Sequence, residues 1–328
     1  MPDPIFLEGD RARVRPVDAG SLWLDGGAMF GVVPKPLWVR RAPADGQNRI
    51  PLAMRCLLVE TEEATVLIDV GLGNKESDKF KSIYGVSNDG DPTRLETSLE
   101  ALGVKPSDVD VVAGTHLHFD HFGGSTTRGT DGSLRPSFPS ARYVVSRGEY
   151  EFARLDNERI RASYMADNFE PLAAADRLEL VPDGSEIVPG VRYVHTPGHT
   201  PHHQSILVDL GGAQLLFLAD LVPTAAHLPL PWIMGYDVEP LVTLESKKRI
   251  LRRAADEGWW LAFEHDPFVA WGRAVPPPGG GSGCTLDDIE EQALAPGAER
   301  GTSGPGQGPG KQSSQVRPGD GLNREEAG

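Results

Sequence analysis

Thr115-His116-Leu117-His118-Phe119-Asp120-His121 is the stretch that decides how this chain reads. Three of the nine histidines fall within six residues there, with a carboxylate between the last two. The apolar stretch Val109–Gly114 runs straight into it, and Gly123-Gly124 turns the chain just after it. Side chains alternate along an extended segment, so His116 and His118 share one side. Asp120 and His121 follow as the chain turns. Imidazole nitrogen and carboxylate oxygen are the donors that zinc and similar borderline metals take. Cysteine is absent from the run, which argues against a structural thiolate site and leaves a coordination position for water. A lone histidine is usually a core or surface residue. Four ligand-type side chains within six residues, after a buried strand and before a double glycine, point to metal instead.

Working outward, further donors stand where strands are expected to end. His199 follows Thr196-Pro197-Gly198, Asp220 follows the apolar run Leu215–Ala219, and His265 follows Trp259–Phe263. Met54–Val59 and Thr65–Asp69 read as paired strands around a polar turn at Glu62-Glu63. Pro92–Leu102 reads as a helix stopped by Gly103. Arg142–Ser146 and Arg192–His195 read as strands, and Arg147–Arg154 and Arg161–Ala174 as helices. Ser205–Asp209 and Gln214–Ala219 flank Gly211-Gly212, a hairpin signal. Leu241–Glu257 is a long amphipathic helix. Strands in pairs and triples with helices between them predict two sheets packed face to face under outer helices, because each sheet and each helix must bury its apolar face.

The run His116-x-His118-x-Asp120-His121, followed by His199, Asp220 and His265, resembles the metallo-β-lactamase superfamily in spacing and order over most of residues 50–270. The resemblance implies an α/β fold, the four-layered αβ/βα sandwich, with metals at one edge between the sheets. It implies two divalent metal ions, zinc being the expected identity. His116, His118 and His199 would hold one ion, Asp120, His121 and His265 the other, and Asp220 would bridge them. Asp69, in Leu67-Ile68-Asp69-Val70-Gly71, matches the family's strand-end aspartate, whose implied role is to orient ligands. An intact Asp120-His121 pair with a bridging aspartate is typical of the lactonases, thioesterases, nucleases and phosphotriesterases of the superfamily.

Gly26–Lys35, Ala219–Thr224, Pro231–Met234 and Tyr236-Asp237 resemble the quorum-quenching N-acyl-homoserine lactonase-like branch. The implied reaction is attack of a bridging hydroxide on a lactone or neutral ester, with Asp120 as proton carrier. A phosphotriesterase of the methyl-parathion-hydrolase kind is the alternative within the same chemistry, and a non-catalytic metal-binding sensor the alternative outside it. One departure stands out. The best known homoserine lactonases of the superfamily place a tyrosine three positions after the bridging aspartate, and here that position is Pro223. Tyr236, His227 or the metal itself are left as partners for the oxyanion. Met29, Phe30, Trp38, Trp232, Ile233 and Met234 are the apolar residues expected near the mouth, as pocket wall, core or dimer contact.

Composition bounds the rest. The 328 residues are 39% apolar and 24% charged, as in an ordinary soluble protein, and no stretch approaches the length of a membrane span. The first residues carry neither a basic nor an apolar leader segment, and Cys56 and Cys284 are the only cysteines, so a reducing cytoplasm is expected. A formal charge of −15 disfavours nucleic acid as a partner and leaves neutral small molecules as substrates. A homodimer is the candidate assembly. Residues 1–276 are expected to form the hydrolase domain. Residues 277–328, with 13 glycines, 6 prolines and no aromatic, read as a disordered tail with one helical patch at Leu286–Leu294.

Overall fold

The structure, a computed structural model, describes residues 5–281, 283–295 and 297–302. Two seven-stranded sheets make up its centre. The first contains β1 (Leu7–Glu8), β2 (Ala12–Asp25), β3 (Arg49–Thr61), β4 (Thr65–Ile68) and β5 (Val111–Ala113). A small hairpin, β6 (Thr126–Arg128) with β7 (Leu134–Pro136), stands apart, and β8 (Arg142–Ser146) and β9 (Leu178–Val181) complete the first sheet. The second sheet runs β10 (Glu186–Val188), β11 (Val191–His195), β12 (Gln204–Asp209), β13 (Gln214–Phe217), β14 (Trp260–Ala262), β15 (Val269–Val275) and β16 (Thr285–Glu291). The helices are α1 (Gly26–Phe30), α2 (Lys35–Trp38), α3 (Asp78–Tyr84), α4 (Arg94–Ala101), α5 (Phe119–Phe122), α6 (Arg147–Ala153), α7 (Glu170–Ala174) and α8 (Pro240–Glu257).

Strand alternation sorts the core into three layers. Leu57, Val66, Ile68, Val111 and Val144 of the first sheet face Ile206, Val208, Leu215, Phe217 and Ala262 of the second. The intervening residues point outward: Leu58, Leu67, Val112 and Val145 pack with Leu95 and Leu99 of α4 and Leu172 of α7. Leu207, Leu216 and Leu261 pack under Ile250, Leu251 and Ala254 of α8. Both faces of each sheet are thus covered, which is why these strands read as nearly continuous apolar runs. This is the expected αβ/βα sandwich.

Two segments differ from expectation. Arg161–Ala174 is mostly turn and 3-10 backbone, with only the short α7 at its end. Pro171 lacks an N–H and sits in the first turn of α7, where that loss is harmless, so the helix starts there and not ten residues earlier. Thr285–Glu291, expected in the tail and overlapping its helical patch, is instead the edge strand β16, antiparallel to β15 from Val269↔Glu291 to Val275↔Thr285. An edge strand needs few buried side chains, and of this one only Leu286 is buried. Composition therefore does not register it. The rest of the expected tail, from residue 303, lies outside the described residues.

Parallel pairing is what positions the site. β4 runs parallel to β5, and β13 parallel to β14, each pair central in its sheet. The carboxyl ends of β4 and β5 therefore emerge side by side, as do those of β13 and β14, and every strand-end donor read from the sequence follows a strand of this sandwich. No helix among the described residues is long and apolar enough to cross a membrane.

Candidate metal centre

β5 ends in a loop that carries His116, and α5 begins directly after His118, so Asp120 and His121 lie on one short helical turn. The second sheet supplies the rest: His199 from the loop after β11, Asp220 from the 3-10 turn Ala219–Leu221 after β13, and His265 after β14. Gly198, at φ +137°, lets the His199 loop reach α8; a β-carbon there would sit 2.3 Å from the Thr243 nitrogen. All seven side chains expected from the sequence are buried together, in two groups. His116, His118, His199 and Asp220 form one, and Asp120, His121 and His265 the other. Each group takes residues from both sheets.

Asp220 faces both groups with different oxygens. Its Oδ2 lies 2.9 Å from His199 Nε2 and 3.9 Å from His116 Nε2. Its Oδ1 lies 3.1 Å from His265 Nε2 and 3.6 Å from His121 Nε2. Asp120 reaches the second group, with Oδ2 3.8 Å from His265 Nε2 and Oδ1 4.0 Å from His121 Nε2. Within each group nitrogens point at one another: His118 Nδ1 and His199 Nε2 are 3.1 Å apart, as are His121 Nε2 and His265 Nε2.

These donors fit divalent metal. Donor atoms bound at about 2.0–2.1 Å in a tetrahedron stand roughly 3.3 Å from one another, close to the separations here. His116 Nε2 and Asp220 Oδ1 are buried without a hydrogen-bond partner among the described residues, an expensive arrangement for polar atoms unless a cation sits between them. Asp69, Asp120, Asp220 and Glu264 are all buried, and their only ion-pair partners among the described residues are histidines. Burial and the neighbouring imidazoles of His121, His118 and His199 hold His116 well below the usual histidine range, and burial with His199 does the same to His118. These two neutral imidazoles keep the lone pairs a metal needs, whereas the Asp220 carboxylate outweighs burial at His199 and His265 and lifts them to about 10 and about 9. Asp220 is held well below the usual carboxylate range, because His199, His121 and His265 outweigh its burial.

A surrounding set of bonds aims the rings. Asp69, at φ +53°, takes the Thr115 N–H at 2.8 Å and the Thr115 hydroxyl at 2.7 Å. Its Oδ2 also stands 3.1 Å from His121 Nδ1, the kind of contact the implied orienting role needs. Thr115 Oγ1 is 3.1 Å from His116 Nδ1. His265 Nδ1 meets the Ala53 carbonyl at 2.7 Å. Three further partners, Asp237, Glu264 and Glu149, are not legible in the sequence. Asp237 Oδ1 lies 2.9 Å from His199 Nδ1 and is itself fixed by the Thr243 hydroxyl at 2.7 Å. Glu264 Oε2 approaches His121 Nδ1 at 2.8 Å, while burial lifts its carboxyl to about 8. Glu149, on α6, takes the Leu117 N–H at 3.1 Å and the Tyr164 and Thr200 hydroxyls at 2.8 and 2.6 Å, so it ties the two ligand loops together. His203 accepts the Asp220 N–H at 3.2 Å, whereas His202 stays partly exposed.

The centre opens into a cleft of about 780 Å³. His118, Asp120, His199, Asp220 and His265 form its floor. Met29 and Met234 line its wall as expected for mouth residues, but Phe30 and Trp38 are buried in a stack beneath. His227 does not approach the cleft: its ring stacks on Phe30 at 4.3 Å, and its Nε2 meets the Met29 carbonyl at 2.9 Å. Tyr236 does line the cleft, and burial raises its hydroxyl to about 12. The Pro223 carbonyl accepts the His265 N–H at 3.0 Å.

A family model described as the metallo-beta-lactamase superfamily matches residues 51–265. The N-acyl homoserine lactonase of Bacillus cereus is 29% identical over 230 residues, covering 67% of this chain and 83% of that protein. A solved structure described as a "probable metal-dependent hydrolase" from Staphylococcus aureus superposes with a TM-score of 0.77 at 28% identity, covering 86% of this chain and 99% of that one. A mutant of AiiA from Bacillus thuringiensis, with N-decanoyl-L-homoserine bound at its active site, superposes with a TM-score of 0.60 at 25% identity, covering 79% and 94%.

Proposed function

The chain belongs to the metallo-beta-lactamase superfamily, a family of metal-dependent hydrolases, and from that premise we propose that it opens lactones, N-acyl-homoserine lactones being the leading class. The observation that carries the two-metal part of the reading is the split of Asp220, one oxygen toward each histidine group. His116, His118 and His199 would hold one divalent ion, Asp120, His121 and His265 the other, with Asp220 between them and zinc the best match to the donors. Such a pair, when bound, supplies Lewis acidity and brings the pKa of water from about 15.7 toward 7.

The chain's own residues do the remaining work. Asp120, on the cleft floor, is placed to carry a proton to a leaving alkoxide. Tyr236 keeps its proton at neutral pH and stands on the wall as a donor for a substrate carbonyl, the task for which Pro223 has no group. Leu24, Met29, Leu52, Phe119, Ile160 and Met234 give an apolar wall for an acyl chain. The names of the relatives support the lactone class.

Metal-analysed protein should be assayed on acyl-homoserine lactones, aryl esters and a phosphotriester. Lactones should turn over fastest, and Asp120→Ala and His118→Ala should abolish turnover and lower bound metal. Equal rates on unrelated esters would remove the lactone assignment. Full activity and metal content in both variants would remove the metal assignment.

A further inference from the structure

A second set of ligating side chains lies on the outer side of the segment that delivers His199. His195 ends β11, His202 follows the loop, and Asp183 stands in the turn between β9 and β10. Asp183 Oδ2 is 2.8 Å from His202 Nδ1 and 3.3 Å from His195 Nε2. The Pro201 carbonyl lies 3.2 Å from the same His195 nitrogen. The other oxygen of Asp183 accepts from Ser146 Oγ at 2.5 Å and Gln204 Nε2 at 2.9 Å. The carboxylate is therefore fixed with Oδ2 turned toward both imidazoles, and the three donor atoms fall within 4.8 Å of one another. The side chains of His195, Asp183 and His202 keep 40, 25 and 37% exposure, open enough for an ion to enter with its own water.

Gly148 is an independent sign that His202 is seated by design of the chain. It lies in the first turn of α6, where its backbone has no need of glycine. A β-carbon there would stand 2.2 Å from His202 Nδ1. Only the missing side chain lets the imidazole lie against the helix with this nitrogen on Asp183.

We propose that His195, His202 and Asp183 form a separate site for a zinc-class divalent cation, outside the hydrolytic centre. Two imidazoles and one carboxylate without thiolate are a borderline-metal donor set. The two carboxylate-to-imidazole separations, 2.8 and 3.3 Å, lie near the roughly 3.3 Å edge of a tetrahedron, and the third falls within 4.8 Å. Binding would displace the protons on the nitrogens that face Oδ2. An ion here fastens both ends of segment 195–202 to the turn before β10. His199 lies within that segment, so the ion would brace it from behind without entering the cleft.

The test is zinc titration by calorimetry at neutral pH, on protein whose central ligands are already saturated. One further binding event is expected. It should vanish in His202→Ala, in Asp183→Asn and in Gly148→Ala, the last of which removes no ligand, while circular dichroism and the remaining zinc content stay unchanged. It should persist in Asp220→Asn, which disturbs only the central groups. No further event in the wild-type protein, survival of the event in His202→Ala and Asp183→Asn, or its loss in Asp220→Asn would overturn the assignment.

Discussion

Replacing Arg55 by methionine tests whether the loop bearing His265 is held from inside the sandwich. Arg55 lies on β3 and is fully buried. Its Nη1 donates to the carbonyls of Phe263, Asp266 and Val269 at 2.6, 3.0 and 3.1 Å. Its Nε and Nη2 donate to the Gln292 side chain and carbonyl at 3.1 and 3.0 Å. Burial of the guanidinium opposes these bonds and pulls its pKa down to about 10. Methionine would recover that desolvation cost and some packing. It would also leave four backbone carbonyls without their donor, at about 1–3 kcal/mol each. The balance is a loss of about 3–5 kcal/mol, in line with breaking other buried charged networks. At about 2–4 °C per kcal/mol in domains approaching this size, Tm should fall by roughly 6–20 °C. Thermal unfolding followed by circular dichroism with excess chelator isolates this effect from metal binding. Metal content without chelator should fall as well, because three of the freed carbonyls flank His265. A Tm within about 2 °C of wild type would refute the reasoning, since the carbonyls would then have found other donors at no cost.

Three further outcomes follow from the same geometry. Burial holds His227 at about 3, whereas an unfolded histidine titrates near 6.5. Between those values the unfolded chain binds a proton the folded chain refuses, so stability declines as pH falls from about 6.5 toward 3. His227→Gln should flatten that acid limb in urea unfolding, and an unaltered limb would assign the loss to other groups. Asp237→Ala frees His199 Nδ1 and should weaken metal affinity about 10–100-fold in chelator competition; unchanged affinity would mean that Thr243 and the backbone suffice to aim the ring. A chain ended at Pro276 loses β16 and both acceptors on Gln292, and bares the edge of β15. It should be recovered aggregated or metal-poor, and a soluble product with wild-type metal content would show β16 to be dispensable.

The seven central donors were legible because they follow apolar strands whose periodicity is itself legible. Alternation such as Val66-Leu67-Ile68 and Leu215-Leu216-Phe217 fixes both a strand and its covered faces, and the donor sits just past its end. The residues that aim those donors carry no such mark. Asp237, Glu149 and Glu264 are single carboxylates in unremarkable surroundings, and only tertiary folding brings them to His199, Thr200 and His121. Glu264 directly precedes a donor, so its neighbour's reading was the one available signal. β2, fourteen residues long, carries no clear strand signal because Arg13, Arg15 and Asp18 interrupt its apolar positions, although Val14 and Val17 are buried. β16 is illegible for the opposite reason. Its stability lies in backbone pairing and in Arg55, neither of which has a compositional trace.

Both histidine groups recruit from the two sheets, and that makes the proposed ions staples across the seam of the sandwich. Opening the seam would break both groups at once, so uptake of metal and closure of the two leaves become one linked equilibrium. Each tenfold rise in free ion above its dissociation constant would then add about 1.4 kcal/mol per staple to the closed form. Scarcity of metal would then reach this enzyme as a loosening of its two halves against each other, together with the loss of its chemistry.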